Sequence, residues 1–189
     1  MCRTMTKSDD ELVCRTISSK YLMRRPWMTV RCDSVAIPGG KVNPEYYVLE
    51  YPGWINVIAI DESGNMLLER QWRQAAGIIS TEIPAGVMEK GETPLQAARR
   101  ELLEETGYTG GEWSELLTLY PNPGLMNNKC HCFLARGVRR TDSQHLDETE
   151  CLEVFTATQE EVFRLLCEGA FMQAMMVAPL WKYFYKNRK

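Results

Sequence analysis

The sequence lacks several features that would place it in a particular class of protein. It has no apolar run of about 18 residues, so no transmembrane helix is predicted. Its first ten residues lack the apolar stretch of a signal peptide. It has no broad basic stripe, and 22 Lys and Arg against 25 Asp and Glu give a net charge of −3. This balance argues against generic nucleic-acid binding. We therefore expect a cytoplasmic protein with no membrane or nucleic-acid partner.

The seven cysteines do not indicate a disulfide framework, because their number is odd and the expected compartment is reducing. The group Cys130-His131-Cys132 has no second Cys or His pair at zinc-site spacing. On a strand, Cys130 and Cys132 would share one face and His131 would lie on the other. We interpret the two cysteines as buried thiols of a core strand, with a metal pair as the alternative.

The 189 residues suit one domain, or one domain with a small extension, and show no internal repeat or low-complexity linker. The last of the predicted helices is expected to be interrupted near Pro179. Mixed strands with helices at the middle and end favour the α/β class and an α/β/α sandwich. We assign 1–50 to an N-terminal β-rich segment and 51–189 to the main domain. Strands are predicted near 27–35, 46–50, 54–60, 66–71, 113–120, 130–137 and 150–157, and helices near 94–106, 158–168 and 170–185.

The most informative segment is a dense acidic run at 86–108. Thr93 is a candidate N-cap, Pro94 suits the first helical position, and Gln96 completes a capping-box pattern. Gly107 is a candidate left-handed C-terminal stop. The pattern predicts a helix over Pro94–Thr106.

Glu104 and Glu105 follow Glu101 by three and four residues on this predicted helix, so each of them meets Glu101 on one face. Like charges at this spacing destabilise a helix, and the negative pole of the helix dipole is at the same end. A divalent cation with oxygen ligands would remove both penalties. The alternative is a solvated acidic face with Arg99 and Arg100 as local partners.

The run also matches the Nudix box, Gly-x5-Glu-x7-Arg-Glu-U-x-Glu-Glu-x-Gly-U, where U is a bulky aliphatic residue. Tyr108 replaces the last aliphatic residue, which is a mild change. The chain thus resembles the Nudix hydrolase superfamily, whose members hydrolyse a nucleoside diphosphate linked to another moiety. The resemblance implies a Nudix α/β/α sandwich with a mixed sheet, preceded by a small N-terminal β-segment. The matching residues are Gly86, Glu92, Arg100, Glu101, Leu102, Glu104, Glu105 and Gly107.

Segments outside the box resemble the ADP-ribose and nucleotide-sugar pyrophosphatase branch. These are 70–75, 82–86, the hairpin before Trp54, and Pro123, which lies 15 residues after the box. The resemblance implies ADP-ribose as substrate and a homodimer that exchanges its N-terminal segments, so 1–50 would serve dimerisation. The loop at 124–129 lacks an acid that the branch often has. GDP-mannose or another sugar nucleotide therefore stays an alternative substrate, and a non-catalytic nucleotide sensor is a second alternative.

The resemblance also implies a cation site and a catalytic set. The ligands of Mg²⁺, or of Mn²⁺, would be Glu101, Glu104, Glu105, Glu150 and the carbonyl oxygen of Ala85.

Arg100 would orient the glutamates, and Glu148 would be the catalytic base, with a box glutamate such as Glu104 as the alternative. The loop that carries Glu148 would otherwise be an ordinary acidic turn.

Arg73 and Glu82 would bind the small-molecule nucleotide substrate, and Trp27 or Trp72 would stack on its base. The alternatives are a surface ion pair for Arg73 and a core or interface position for each tryptophan.

Overall fold

The structure is a computed structural model, and it describes residues 7–26 and 28–187. The chain divides into two compact units. One contains the residues up to Tyr51 together with Asn122–Asn127, and the other contains Pro52–Pro121 and the residues from Asn128 onward. Within the described residues, no helix is both long and apolar enough to cross a membrane.

The N-terminal unit is an antiparallel sheet in the order β1-β2-β3. A 3-10 turn, Asp9–Glu11, precedes it. The strands are β1 Arg15–Arg25, β2 Met28–Ala36 and β3 Val42–Glu50. The predicted hairpin between β2 and β3 is confirmed. Strand β1 was not predicted, because its segment alternates poorly between polar and apolar residues and every residue of it is exposed.

The larger unit is built on a mixed sheet. Its strand order is β10-β5-β4-β9-β8, with β6 paired to β5 and β7 paired to β4. The β4 and β9 strands are parallel, and the other pairs are antiparallel. The strands are β4 Trp54–Asp61, β5 Met66–Arg73, β6 Ile78–Glu82, β7 Ala85–Val87, β8 Tyr108–Leu119, β9 Cys130–Arg140 and β10 Leu152–Ala157, and the helices are α1 Pro94–Thr106, α2 Gln159–Cys167 and α3 Ala174–Asn187.

Helices cover both faces of this sheet, and β4 is therefore buried on both sides. Its residues alternate between two hydrophobic clusters, so that Ile58 packs with α2 and α3 while Val57 packs with α1. The predicted α/β/α sandwich with a mixed sheet is therefore confirmed. The prediction that Cys130 and Cys132 are buried in a core strand is also confirmed.

The predicted interruption of the last helix at Pro179 is wrong, because α3 runs through this residue. A proline has no N–H for the carbonyl four residues earlier, which is that of Met175. The Nδ2 of Asn56 donates to this carbonyl oxygen at 2.8 Å. A side chain from β4 thus replaces the hydrogen bond that the proline removes. The helix also begins at Ala174, later than predicted.

Candidate active site

Helix α1 carries most of the candidate site, and local signals set its bounds. The side chain of Thr93 accepts from the backbone N–H of Gln96, and the side chain of Gln96 binds the backbone N–H of Thr93. Gly107 adopts a left-handed φ of 74° and donates to the carbonyl of Leu103. The apolar residues of the helix, among them Leu102, pack on the sheet. The predicted bounds of the helix, Pro94–Thr106, are confirmed.

The structure brings the end of α1 against strand β7. The backbone N–H of Ala85 donates to Oε2 of Glu105 at 3.1 Å. A Cβ added at Gly86 would lie 2.0 Å from Cδ of Glu101. Only a glycine lets the backbone approach the Glu101 carboxylate this closely. Ala85, Glu101 and Glu105, three of the predicted metal ligands, therefore lie together.

Arg100 organises the carboxylates around it. It donates two hydrogen bonds to Glu92, at 2.8 and 3.0 Å, and one to Oε2 of Glu104 at 2.9 Å. It also forms an ion pair with Glu101 at 3.0 Å and donates to the carbonyl of Val87 at 3.0 Å. The hydrogen bond from Arg100 is the main cause that lowers the pKa of Glu92 to about 2. These contacts place Arg100 between Glu92, Glu101 and Glu104.

Burial is the main influence on the pKa values of the two inner carboxylates, Glu101 and Glu105. It raises the pKa of Glu101, and it raises the pKa of Glu105 well above its ordinary value. The negative charges of Glu69 and Glu101 add to the shift of Glu105. Glu104, in contrast, has a side chain that is 42% exposed. The cluster thus has a buried side toward the sheet and an open side at Glu104.

The loop between β9 and β10 docks on the C-terminal end of α1. The backbone N–H of His145 donates to the carbonyl of Glu104 at 2.8 Å, and Nε2 of Gln144 donates to the carbonyl of Glu105 at 2.7 Å. These donors satisfy carbonyls that a helix end leaves without partners. The sequence analysis missed both residues, because a loop residue that caps a distant helix has no local signal.

Two glutamates of the same loop are placed differently. The charge of Glu150 contributes to the raised pKa of Glu101 and of Glu105, after burial and nearer charges. Glu150 is therefore close to the inner carboxylates. Glu148 is exposed in a turn, and within the described residues it forms no hydrogen bond or ion pair with α1. The structure thus brings Glu150 to the cluster but not Glu148.

Arg73 and Glu82 form an ion pair at the edge of the site. Glu82 is fully buried, and both of its carboxylate oxygens accept hydrogen bonds from Arg73, one of them from Nε at 2.8 Å. The hydrogen bond that Arg73 donates to Glu82 is the main cause that raises the pKa of Arg73. The side chain of Arg73 remains 38% exposed. Arg73 is accessible to a ligand, whereas Glu82 is not.

A cavity of about 220 Å³ lies beside this pair. It has an arginine, two methionines and the backbone of β7 in its wall. Trp72 does not line it; this side chain is 52% exposed and donates to Gln74. Trp27, the other predicted stacking residue, lies outside the described residues. The lining residues are Trp54, Ile55, Arg73, Ala85, Gly86, Val87, Gln173, Met175 and Met176.

Glu69 is a further acidic residue that the sequence analysis did not single out. It is fully buried in β5, and its carboxyl lies within hydrogen-bonding distance of that of Glu105. Burial, and then the charge of Glu82, raise the pKa of Glu69 to about 8. The signal in the sequence was the acid that directly follows the apolar run 66–68.

The carboxylates fit a divalent cation by their chemistry. Among the described residues, no group of three or more His, Cys, Asp or Glu side chains is already arranged to hold a metal ion. Glu101 and Glu104 form ion pairs with Arg100. The donors are hard oxygens, which Mg²⁺ and Mn²⁺ prefer. Glu101 and Glu105 repel each other in a buried place, and a cation would offset that repulsion.

Comparisons with known proteins define the class of the molecule. A model described as the NUDIX domain matches residues 52–175, and one described as the nucleoside diphosphate sugar hydrolase N-terminal domain matches residues 15–49. A solved structure titled as an ADP compounds hydrolase superposes with a TM-score of 0.79 at 20% identity, over 92% of this chain and 93% of that one. This likeness shows the fold.

Similar sequences agree with this class. An ADP-ribose pyrophosphatase of Bacillus subtilis is 32% identical over 80% of this chain and 82% of its own length. An ADP-ribose pyrophosphatase of Mycobacterium tuberculosis is 34% identical over 86% and 79%. A methanol dehydrogenase activator of Bacillus methanolicus is 30% identical over 82% and 83%. The chain belongs to the Nudix family, and it is a hydrolase. Hydrolases of this family generally use divalent metals.

Proposed function

We propose that this hydrolase cleaves the diphosphate bond of ADP-ribose to give AMP and ribose 5-phosphate. The observation that carries the proposal is the close approach of the buried Glu105 and the largely buried Glu101 to the backbone at Ala85 and Gly86. The cavity that contains Arg73 adjoins the same backbone. Relatives named ADP-ribose pyrophosphatase support ADP-ribose as the substrate.

The proposed cation is Mg²⁺, with Mn²⁺ as a substitute. Its proposed ligands are Glu101, Glu104, Glu105, Glu150 and the carbonyl oxygen of Ala85. When bound, such a cation neutralises diphosphate charge and lowers the pKa of a bound water. Arg100 contributes by fixing the positions of Glu101 and Glu104 through its own hydrogen bonds and ion pairs.

The chemical step is the addition of water to one phosphorus and the departure of the other phosphate. Glu148 is the proposed base that accepts the proton of the water, with Glu104 as the alternative. Glu148 is exposed on a loop outside regular structure, so it would approach the substrate by movement of this loop. A positioned carboxylate base contributes about 10²–10⁴-fold to the rate.

Arg73 is the proposed substrate-binding residue for the diphosphate. Its Nε and Nη2 are used by Glu82, which leaves Nη1 for a ligand oxygen. Glu82 is buried, and we propose that it acts on the substrate through Arg73 by holding the guanidinium in place. Trp27 stays a proposed base-stacking residue on the sequence alone.

A homodimer through the N-terminal segment 1–50 is also proposed, with 51–189 as the catalytic domain. Strand β1 is exposed along its whole length and presents apolar side chains such as Ile17 and Leu22. An exposed apolar strand is a surface that proteins normally cover. Light scattering coupled to size-exclusion chromatography should give twice the chain mass, and Ile17→Lys with Leu22→Lys should give the monomer. A wild-type protein that elutes with the mass of one chain would contradict the dimer.

The function is tested with a panel of ADP-ribose, GDP-mannose, ADP-glucose and NADH in the presence of Mg²⁺, with phosphatase-releasable phosphate as the readout. ADP-ribose should have the highest kcat/KM. Glu105→Gln is the control, and it should lose activity by about 10²-fold or more while it stays folded. Activity close to wild type in this variant would contradict the cation assignment.

Sugar nucleotides are the second candidate substrates. The N-terminal match to nucleoside diphosphate sugar hydrolases and a mouse relative named ADP-sugar pyrophosphatase favour them. If GDP-mannose or ADP-glucose has a higher kcat/KM than ADP-ribose in the panel, that compound is the substrate in place of ADP-ribose. No cleavage of any compound would favour a non-catalytic nucleotide sensor.

A further inference from the structure

Strand β5 carries a carboxylate where a core residue is expected. The strand begins with Met66, Leu67 and Leu68, each fully buried, and Glu69 follows with the same burial. Acidic side chains are almost never fully buried unless they are paired. The position of Glu69 in the core therefore needs a physical reason.

Among the residues that the structure describes, Glu69 has no cationic partner of its own. Neither of its carboxylate oxygens receives a hydrogen bond from an N–H or O–H donor in the described part of the chain. Glu82 is equally buried but accepts two hydrogen bonds from Arg73. Because Arg73 is bound to Glu82, it attracts Glu69 only from a distance. A buried polar group without a hydrogen-bond partner destabilises a folded chain.

The groups that face Glu69 come from three elements. Glu82 lies on β6, Arg73 lies at the end of β5, and Glu101 and Glu105 lie on α1. Of these groups, the carboxyl of Glu105 is the one within hydrogen-bonding distance of Glu69. Glu69 thus contacts Glu105 from the core side.

Glu105 has a second contact, with the backbone of β7. Its Oε2 accepts from the N–H of Ala85 at 3.1 Å. Two contacts, one from β7 and one from β5, fix the plane of a carboxylate better than one. Neither contact uses the exposed face of α1, where Glu104 lies.

We propose that Glu69 is a positioning residue of the cation-binding site, which orients the carboxylate of Glu105. This inference rests on the proposed function, since it takes Glu105 as a cation ligand. It also explains why a destabilising residue is present in the core. Glu69 lowers the stability of the cation-free protein and raises its affinity for the cation.

The test compares Glu69→Leu and Glu69→Gln with the wild-type chain. Mn²⁺ binding is measured by electron paramagnetic resonance, and thermal unfolding is measured in excess chelator. Glu69→Leu should weaken Mn²⁺ binding about tenfold or more, as changes of outer partners of metal ligands do. Its Tm without cation should be equal to or higher than that of the wild type, because a buried polar group has been removed.

The amide of Glu69→Gln can donate a hydrogen bond to Glu105, so this variant should recover most of the Mn²⁺ affinity that Glu69→Leu loses. Glu153→Leu is the matched control on the neighbouring strand β10, where the glutamate side chain is 70% exposed. It should leave the affinity unchanged.

Three results would overturn the inference. One is an unchanged Mn²⁺ affinity in Glu69→Leu. Another is a loss of affinity that accompanies an equally large fall in the cation-free Tm, which would indicate a damaged core. The third is a Glu69→Gln variant as weak as Glu69→Leu. Failure of the proposed function is distinguishable, because it would appear as Mn²⁺ binding by the wild type without cleavage of any substrate in the panel.

Discussion

Arg100 binds the Glu92 carboxylate through two hydrogen bonds, 2.8 Å from Nε to Oε1 and 3.0 Å from Nη2 to Oε2. This pair joins the loop before α1 to the middle of the helix. Bidentate pairs of this kind have a defined geometry as well as a favourable energy. Arg100 is thereby held in place beside Glu101 and Glu104.

The Arg100–Glu92 pair predicts how stability depends on pH. The pKa of Glu92 is lowered to about 2 in the folded chain from an ordinary value of 4.5. A lowered folded-state pKa gives stability that is present above 4.5 and is lost as the pH falls toward 2. Glu92→Gln should therefore be less stable than the wild type near neutral pH, by about 1 kcal/mol for a partly solvated pair.

The measurement is urea unfolding of both chains between about pH 3 and 7. The difference in the free energy of unfolding should shrink steadily below about pH 4.5. Glu62→Gln, in an exposed turn, is the control and should show no such trend. A difference that stays constant across the range would contradict the pair.

Gly86→Ala should separate folding from cation binding. The new Cβ would meet Cδ and both oxygens of Glu101 at 2.0–2.4 Å. Because these atoms are the flexible end of a side chain, the fold should survive while Glu101 is displaced. Mn²⁺ affinity should fall by about tenfold, in line with other changes beside metal ligands. Gly124→Ala, whose nearest atom would be 3.6 Å away, is the control. Wild-type affinity in Gly86→Ala would show that Glu101 is not a ligand.

Arg73→Ala should destabilise the chain, because it leaves the fully buried Glu82 without a partner. Breaking a buried pair destabilises by about 3–5 kcal/mol, and we expect about 3 because Arg73 is partly exposed. The double variant Arg73→Leu with Glu82→Leu should recover most of this stability, but its KM should stay raised. Urea unfolding and steady-state kinetics measure the two effects. Recovery of the wild-type KM in the double variant would exclude Arg73 from substrate binding.

Replacement of Glu148 or Glu150 by Gln should change two different properties, kcat for Glu148 and Mn²⁺ affinity for Glu150. Glu148→Gln should lower kcat by about 10²–10⁴-fold without a change in Mn²⁺ affinity, because a base is lost. Glu150→Gln should weaken Mn²⁺ binding by about tenfold, because its charge is close to Glu101 and Glu105. Asp147→Asn, in the same loop, is the control. If only Glu150→Gln impairs kcat, the base is not Glu148.

Much of the fold followed from local patterns. The bounds of α1 were predictable because Thr93, Pro94 and Gly107 act on the residues next to them. The buried strand β4 was predictable from its continuous apolar run. The continuity of α3 through Pro179 was not, because the compensating hydrogen bond comes from Asn56, far away in the sequence.

The candidate site, like the fold, has features that neighbouring residues set and features that distant contacts set. The sequence by itself determined the acidic face of α1 and its likeness to the Nudix box, because spacing along one helix places the glutamates. Only the tertiary structure decided that Glu69 contacts Glu105, that Arg73 is bound to the buried Glu82, and that Gln144 caps α1. Such contacts join separate elements of the sheet and the helix. They depend on strand pairing and packing, which no pattern of neighbouring residues encodes.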